Sequence, residues 1–382
     1  MTPASVADYR ALARRRLPRM LFDYIDGGSY AEVTLGRNVA DFAAVALRQR
    51  VMRDMTRLDL SVQTLGQTLA MPVGLSPVGM GGMYARRGEV QAARAAADAG
   101  VPFCLSTVSV CSVEEVAAAG TAPWFQLYMI KDRGYVRALL DRAKAAGCPV
   151  LVLTVDLPVP GARQRDIRSG LSGRPDAAGR LRRAWQGATR PAWLWDVWLR
   201  GRPHTFGNVV DAIPEARGVD DFWGWIGGNF DRGVTWADLD WIRQAWDRPI
   251  VVKGVLDTDD ARDAVRAGAD GLVVSNHGGR QLDGVVSSIR ALPRIADAVG
   301  VEIEVYLDGG VRSGLDVLKA LALGAKACFI GRPWAYALAA GGGPMVERLL
   351  ASFRAELEAA MVLTGCVSAR AADHSLLDVA AD

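Results

Sequence analysis

PIVVKGVLDTDDARDAVRAGADGLVVSN, Pro249–Asn276, holds one complete structural unit. A short apolar run, PIVVKGV, is followed by a stretch from Asp257 to Ala267, then by Gly268 and a second apolar run, GLVVSN. Each run is short and rich in Val, as a strand buried on both faces should be. The middle stretch predicts a helix that Gly268 ends, because glycine relieves the left-handed conformation past a helix terminus. Strand, helix and strand in that order build a parallel sheet.

The same alternation runs along the chain from about Met71. Further strand candidates are MPVGLSP from Met71, PFCLST from Pro102, WFQLYM from Trp124, PVLVLTVD from Pro149, IEVYLDGG from Ile303 and ACFIGRP from Ala327. Helix candidates span Glu89 to Ala99, Ser112 to Ala119, Arg133 to Ala146, Thr235 to Trp246 and Ser313 to Leu323, and all but the fourth run into a glycine. Eight such units predict an α/β fold, a closed (β/α)8 barrel of the TIM type, rather than an open doubly wound sheet. No GxGxxG follows the first strand and no GxxxxGK[ST] occurs, which argues against a nicotinamide Rossmann domain and a P-loop. The reading is of one domain over 1–382, with the barrel in 71–160 and 234–365. Residues 1–70 read as an N-terminal helical cover, and 161–233 as a long insertion after strand four, of the kind that forms a lid or an interaction surface.

Half of the 382 residues are hydrophobic and 23% are charged, enough for a large core. A net charge of +3 gives no general reason to expect nucleic-acid binding. Five cysteines form no CxxC pair and no zinc-like cluster, so free buried thiols, a reducing compartment and no metal are expected. No signal core or spanning segment is visible, which predicts a cytoplasmic protein.

Reactive groups in such barrels lie at the C-terminal ends of strands. Those ends carry Ser76, Ser106, Thr107, Gln126, Tyr128, Thr154, Asp156, Lys253, Ser275, His277, Asp308 and Arg332. His277, in SNHGGRQLDG, titrates near neutrality and suits a general base, with Asp156 to hold the imidazole. Arg163 and Arg280 are candidates to clamp a carboxylate, since a guanidinium offers two parallel donors. Gly309, Gly310 and Arg312 in DGGVRSG, with Gly331 and Arg332 in IGRP, suggest a phosphate site, helped by free amides where the next helix begins near Ser313. Lys253, projecting into the barrel mouth, needs a partner: a ring that gains negative charge, or a substrate carbonyl in a Schiff base.

Together these residues resemble the FMN-dependent α-hydroxy acid dehydrogenase and oxidase family over nearly the whole chain. SNHGGRQLDG is the most specific likeness, and DGGVRSGLDVLKALALGA, FQLY and TVD support it. Within the family, STVSVCSVEEV, TVDLPVPGAR, RGRPH and GVDDFWGWIGGNFD are similar to the bacterial respiratory L-lactate dehydrogenases. The resemblance implies His277 as base and Asp156 as its partner, with Tyr24, Tyr128, Arg163 and Arg280 on the substrate. It implies Ser106, Gln126, Thr154, Lys253 and Ser275 on the flavin ring or ribityl chain, and the backbone of Pro77, Val78 and Gly79 beside the ring. Asp308, Gly309, Gly310, Arg312, Gly331 and Arg332 would take ribityl and phosphate. Where the family's oxidases usually carry Ala this chain has Gly79, which fits low interest in oxygen. The implied reaction is oxidation of an L-2-hydroxy acid, L-lactate first and mandelate or glycolate as alternatives, with Met80 and Val108 bounding the side chain. A tetramer is implied too. The rivals are a soluble oxidase making hydrogen peroxide, an FMN isomerase, and an inactive flavin-binding module.

The insertion mixes Arg180, Arg182, Arg183, Arg190 and Arg200 with Trp185, Trp193, Trp195 and Trp198. Basic residues beside tryptophans suit a membrane interface. Segment 174–202 is therefore expected to hold the protein peripherally on the inner face of the cell membrane, with electrons passing to a quinone. The alternative is a packed lid or subunit contact whose tryptophans are buried.

Overall fold

The computed structural model describes residues 2–172, 176–213, 224–225 and 227–378. The apolar runs become eight parallel strands: β1 Val73–Leu75, β2 Cys104–Ser106, β3 Trp124–Tyr128, β4 Leu151–Thr154, β5 Ile250–Val255, β6 Gly271–Val274, β7 Glu304–Asp308 and β8 Ala327–Ile330. Each of β2 to β8 pairs with the next, and β8 returns to β1. A parallel bridge from Leu75 to Phe103, with the Leu75 amide 2.8 Å from the Pro102 carbonyl, joins β1 to β2 and closes the barrel. Inward side chains, among them Trp124, Val152, Val251, Val273, Tyr306 and Phe329, fill the interior. The outward faces pack under helices, which is why the strands read as unbroken apolar runs.

The glycine-ended helices form as expected, with boundaries moved by one or two residues. Gly88–Asp98, Val113–Ala117, Arg133–Ala145, Thr258–Arg266 and Gly314–Ala322 are helical, and Gly100, Gly120, Gly147, Gly268 and Gly324 all take positive φ. Ser112, Asp257 and Ser313 cap the second, fourth and fifth of these with their side chains. The helix expected over Thr235 to Trp246 is shorter, Asp238–Ala245, because the Thr235 amide turns onto the Asp238 carboxylate before the helix begins.

Three helices, α1 Val6–Arg16, α2 Arg19–Asp26 and α3 Val33–Ala43, precede the barrel. A hairpin, Val62–Thr64 with Gln67–Leu69, plugs its N-terminal end: Thr64 bonds Glu304 and Tyr306, and Leu65 packs on the barrel interior. The insertion is helical rather than one long loop. It contains Gln164–Ser169, Ala177–Ala188 capped by Asp176, and Pro191–Trp193 running into a π-helical turn, Leu194–Leu199. Trp193 is buried and its indole N–H donates to the Met83 carbonyl at 2.8 Å, anchoring the insertion beside the loop after β1. Arg174 and much of GVDDFWGWIGGNFD lie outside the described residues.

Candidate active site

A cleft of about 1080 Å3, counting its open mouth, lies over the C-terminal ends of the strands. Tyr24, Ser76, Pro77, Val78, Gly79, Val108, Tyr128, Arg163, Lys253, His277, Arg280, Asp308, Gly309, Gly310, Arg312, Gly331 and Arg332 line it. Asp156, Ser106, Gln126, Thr154 and Ser275 are not part of this lining. Met80 does not line the cleft: its backbone turns left-handed and its side chain is fully buried.

His277 leaves β6 through three successive left-handed residues, His277, Gly278 and Gly279 (φ 56°, 64° and 73°). A Cβ on Gly279 would lie 2.6 Å from the Leu35 amide, so this curl needs glycine both for its backbone angle and for space. The curl sets the imidazole beside Asp156, with Nδ1 2.7 Å from Oδ1. A carboxylate accepts, so Nδ1 carries the proton and Nε2 is a bare acceptor. Burial pushes the imidazole below its usual range; Asp156 opposes this, while Lys253 and Arg163 add to it. For Asp156, burial pushes upward, but His277 and Lys253 together outweigh it and hold the carboxylate ionised. A neutral base beside an ionised partner is the form a proton acceptor needs.

The two guanidinium groups lie against Tyr24, Arg280 4.7 Å and Arg163 5.9 Å from the ring centre. Arg280 is fixed by the carbonyls of Tyr24 and Gly27, at the end of α2, and Arg163 leans on the Arg280 carbonyl at 3.4 Å. Burial and the neighbouring Arg280 both lower the pKa of Arg163. Two adjacent cations with no carboxylate in salt-bridge distance among the described residues form a site for an anion.

Lys253 finds a partner inside the protein. Its ammonium lies 3.0 Å from Asp308 and 2.9 Å from the Ser275 hydroxyl. Burial lowers its pKa, but Asp308 and Asp156 more than reverse that. A lysine held charged is a poor Schiff-base nucleophile, so the structure speaks against that rival.

The phosphate expectation is corrected in one respect. Three amides near Ser313 are taken: Arg312 N–H by Asp316, Gly314 N–H by Glu356 at 2.7 Å, and Asp316 N–H by the Ser313 hydroxyl. The helix after β8, Arg332–Gly341, instead opens on the cleft at Gly331, where an added Cβ would meet nothing closer than 3.7 Å. Arg312 bonds the carbonyl of Val311 and has no carboxylate in salt-bridge distance among the described residues. Arg332 grips the carbonyls of Ile25, Gly27 and Gly278, and burial lowers its pKa to about 9.

Several buried polar atoms lack a partner among the described residues: Ser76 Oγ, Gln126 Nε2, Thr154 Oγ1, Asp156 Oδ2 and Asp308 Oδ1. Ser106 and the Thr107 amide both engage Gln126 Oε1, which leaves the amide nitrogen over. Unmet donors and acceptors in a barrel mouth, next to cations, fit a polar ring carrying a hydroxylated chain and a phosphate.

Sequence reasoning missed Phe230 and Leu157, which form apolar wall in the cleft. It also missed the structural work of the signature segment. Asn276 pairs with Asn38, the Gly279 carbonyl accepts from Ser29, and Asp283 accepts the amides of Val33 and Thr34. Gln281 donates to the carbonyls of Asp156 and Val159 and accepts the Gly161 amide, tying the loop after β4 to the loop after β6.

Residues 13–379 match the FMN-dependent dehydrogenase family, and the chain belongs to it. An L-lactate dehydrogenase of Xanthomonas euvesicatoria pv. vesicatoria (strain 85-10) is 59% identical across all of this chain and 96% of its own. An L-lactate dehydrogenase of Caulobacter sp. (strain K31) is 58% identical over 99% of each chain. Among solved structures, a mandelate oxidase with (S)-4-hydroxymandelic acid is 40% identical and superposes with a TM-score of 0.85 over 98% of both chains. The chain is thus an FMN-dependent oxidoreductase, and the unmet polar atoms of the cleft fit that cofactor.

Proposed function

We propose that this enzyme oxidises a short L-2-hydroxy acid, L-lactate before mandelate or glycolate, to the 2-keto acid. One observation carries the reading: the bare Nε2 of His277, set by Asp156, shares a single cleft with the Arg163 and Arg280 pair. The substrate carboxylate binds both guanidinium groups, with the Tyr24 and Tyr128 hydroxyls beside it, which orients the α-carbon. His277 takes a proton at Nε2, and the Asp156 charge stabilises the imidazolium that forms. FMN, when bound, supplies the two-electron acceptor. Ser106, Gln126, Thr154 and Ser275, with the Pro77 to Gly79 backbone, would hold its ring. Asp308 would hold the ribityl chain, and Gly309, Gly310, Arg312, Gly331 and Arg332 the phosphate. Lys253 adds fixed positive charge at the barrel mouth, which favours an electron-rich ring. Two electrons and two protons leave the substrate: one proton goes to His277, and the electron pair with the other proton is what bound FMN would accept. The test is anaerobic flavin bleaching by a panel of L-2-hydroxy acids. His277→Gln should keep FMN but not bleach; full bleaching by that variant would overturn the assignment of the base.

The same family holds the mandelate oxidases that resemble this fold, which favours one second reading, an oxidase releasing hydrogen peroxide. Oxygen uptake with L-lactate by the purified protein would decide for it.

The electron acceptor is proposed to be a membrane quinone, reached by peripheral attachment through 174–202 on the inner face. In the helix Ala177–Ala188 two polar side chains face inward: Arg183 bonds the Gly170 carbonyl and Gln186 bonds the Met20 amide and the Ser169 carbonyl, while Arg180 and Arg182 are exposed. Beside those arginines Leu181 is 73% and Trp185 70% exposed, and Trp195 beyond the helix is 61% exposed. Among the tryptophans named in this segment, Trp185 and Trp195 are open, Trp198 stacks on His204 with part of its surface exposed, and Trp193 is buried. No described helix is long and apolar enough to cross a membrane. The triple variant Leu181→Ser, Trp185→Ser and Trp195→Ser should lose binding to anionic vesicles and keep flavin bleaching; unchanged vesicle binding would remove this proposal. Cover (1–70), barrel (71–160 and 234–365) and insertion are proposed to work as one domain within a tetramer, for which family likeness is the support.

A further inference from the structure

We infer that Phe230, at the returning end of the insertion, sets which L-2-hydroxy acids the enzyme accepts; this rests on the function proposed above. The cleft has a charged side, where Arg163 and Arg280 meet a carboxylate, and His277 to meet the hydroxyl. The substituent on the α-carbon is left with the cleft's apolar lining, which includes Val108, Leu157 and the Phe230 ring packed on Tyr128. The Phe230 ring is 5% exposed and lies 5.0 Å from Tyr128, tilted by 35°. It closes that side of the cleft from outside the barrel.

Phe230 is also held too firmly to yield to a larger ligand. An antiparallel bridge pairs it with Ile130, just past β3. The Asp231 amide donates to Met129 at 3.0 Å and the Lys131 amide to Asn229 at 2.9 Å, one bond on each side of the ring. Arg133 then pins the segment, bonding Asp231, Asp238 at 3.2 Å and the Ile130 carbonyl at 2.8 Å. A wall fixed by its backbone excludes by shape. A difference of one methylene in such a pocket is worth roughly 10- to 200-fold in kcat/KM. Phe230 therefore favours a methyl or ethyl substituent and rejects a phenyl ring.

The experiment uses the flavin-loaded enzyme and measures anaerobic kcat/KM for L-lactate, L-2-hydroxybutyrate, L-2-hydroxyhexanoate and L-mandelate. Phe230→Ala should raise the mandelate-to-lactate ratio by about tenfold or more, with Phe230→Leu between it and the parent. Phe230→Trp, which narrows the same space, should lower the hydroxybutyrate-to-lactate ratio and serves if the alanine variant does not fold. Ratios unchanged in the leucine and tryptophan variants, with all four acids falling together, would show a merely structural residue and overturn the inference. A parent enzyme bleached by none of the acids would instead reject the proposed function.

Discussion

Replacing Asp156 by Asn tests the proton acceptor most directly. The amide is nearly the size of the carboxylate, and the slot is fixed: Asp156 packs against Gly254, where even a Cβ would come within 2.6 Å, and Gln281 braces its carbonyl. The substitution therefore removes charge with little movement. What is lost is the charge assisting a bond 2.7 Å long and largely screened from water, since the amide oxygen can still accept from Nδ1. Such bonds contribute about 1.5–3 kcal/mol. At about 1.4 kcal/mol per decade, the rate constant for bleaching should fall roughly ten- to hundred-fold. It should fall further if the new side chain turns its NH2 to Nδ1 and reverses the tautomer. The substrate carboxylate still meets Arg163 and Arg280, so KM should change little. The pH dependence has a definite sign. His277 must be neutral to accept, and Asp156 works to raise a pKa that burial holds below 6.5. Without Asp156 that pKa drops further, so the acid limb of the rate moves to lower pH. Stopped-flow reduction of the bound flavin measures both effects. An unchanged rate, or an acid limb displaced to higher pH, would refute the assigned pairing.

Asp26 accepts bonds from Arg10, Arg165 and Tyr336 and ties cover, insertion and barrel together, so Asp26→Asn should cost about 1.5–3 kcal/mol in urea unfolding. Burial raises the Asp26 pKa, yet the bonds from Arg10, Tyr336 and Arg165 carry it well below 3.8; its contribution is complete above that pH and lost as pH falls below it, so the gap between parent and variant should close in acid. Arg312→Met removes a buried cation that has no carboxylate partner among the described residues, and FMN affinity measured by fluorescence should weaken by roughly ten- to hundred-fold while the fold survives. In Gly79→Ala the new methyl would meet Val108 Cγ2 at 2.9 Å and the Tyr24 hydroxyl at 3.2 Å, both on residues that line the cleft, so the pocket must rearrange; kcat/KM should fall more for L-2-hydroxyhexanoate than for L-lactate, and an equal fall would contradict the placement.

The barrel was legible because both faces of each strand are covered, which writes an apolar run into the sequence, and because Gly100, Gly147, Gly268 and Gly324 mark where helices end. The rim followed from the barrel, since strand ends carry the polar residues. Other parts left no local trace. The hairpin strands below the barrel are three residues each, too short to show a period. Helix Ser288–Val299 is unmarked because Pro293 lies inside it. Phe230 reaches the cleft from the insertion, where a rule about strand ends does not look. The blocked amides at Ser313 depend on Glu356, more than forty residues away, and no neighbouring residue announces it. Met80 was misplaced because its direction depends on a left-handed backbone that its own sequence does not require.

The stitching between the first forty residues and the segment around His277 has a bearing on biosynthesis. The Ser29 bond to Gly279 spans 250 positions, and the Thr34 bond to Asp283 spans 249. At about 5–20 residues per second, those partners leave the ribosome roughly 10–50 s apart. Over that interval α2 lacks part of its native cover, since Phe22 stacks on Tyr336, which emerges later still, so the nascent polypeptide exposes apolar surface of the kind that holding chaperones bind.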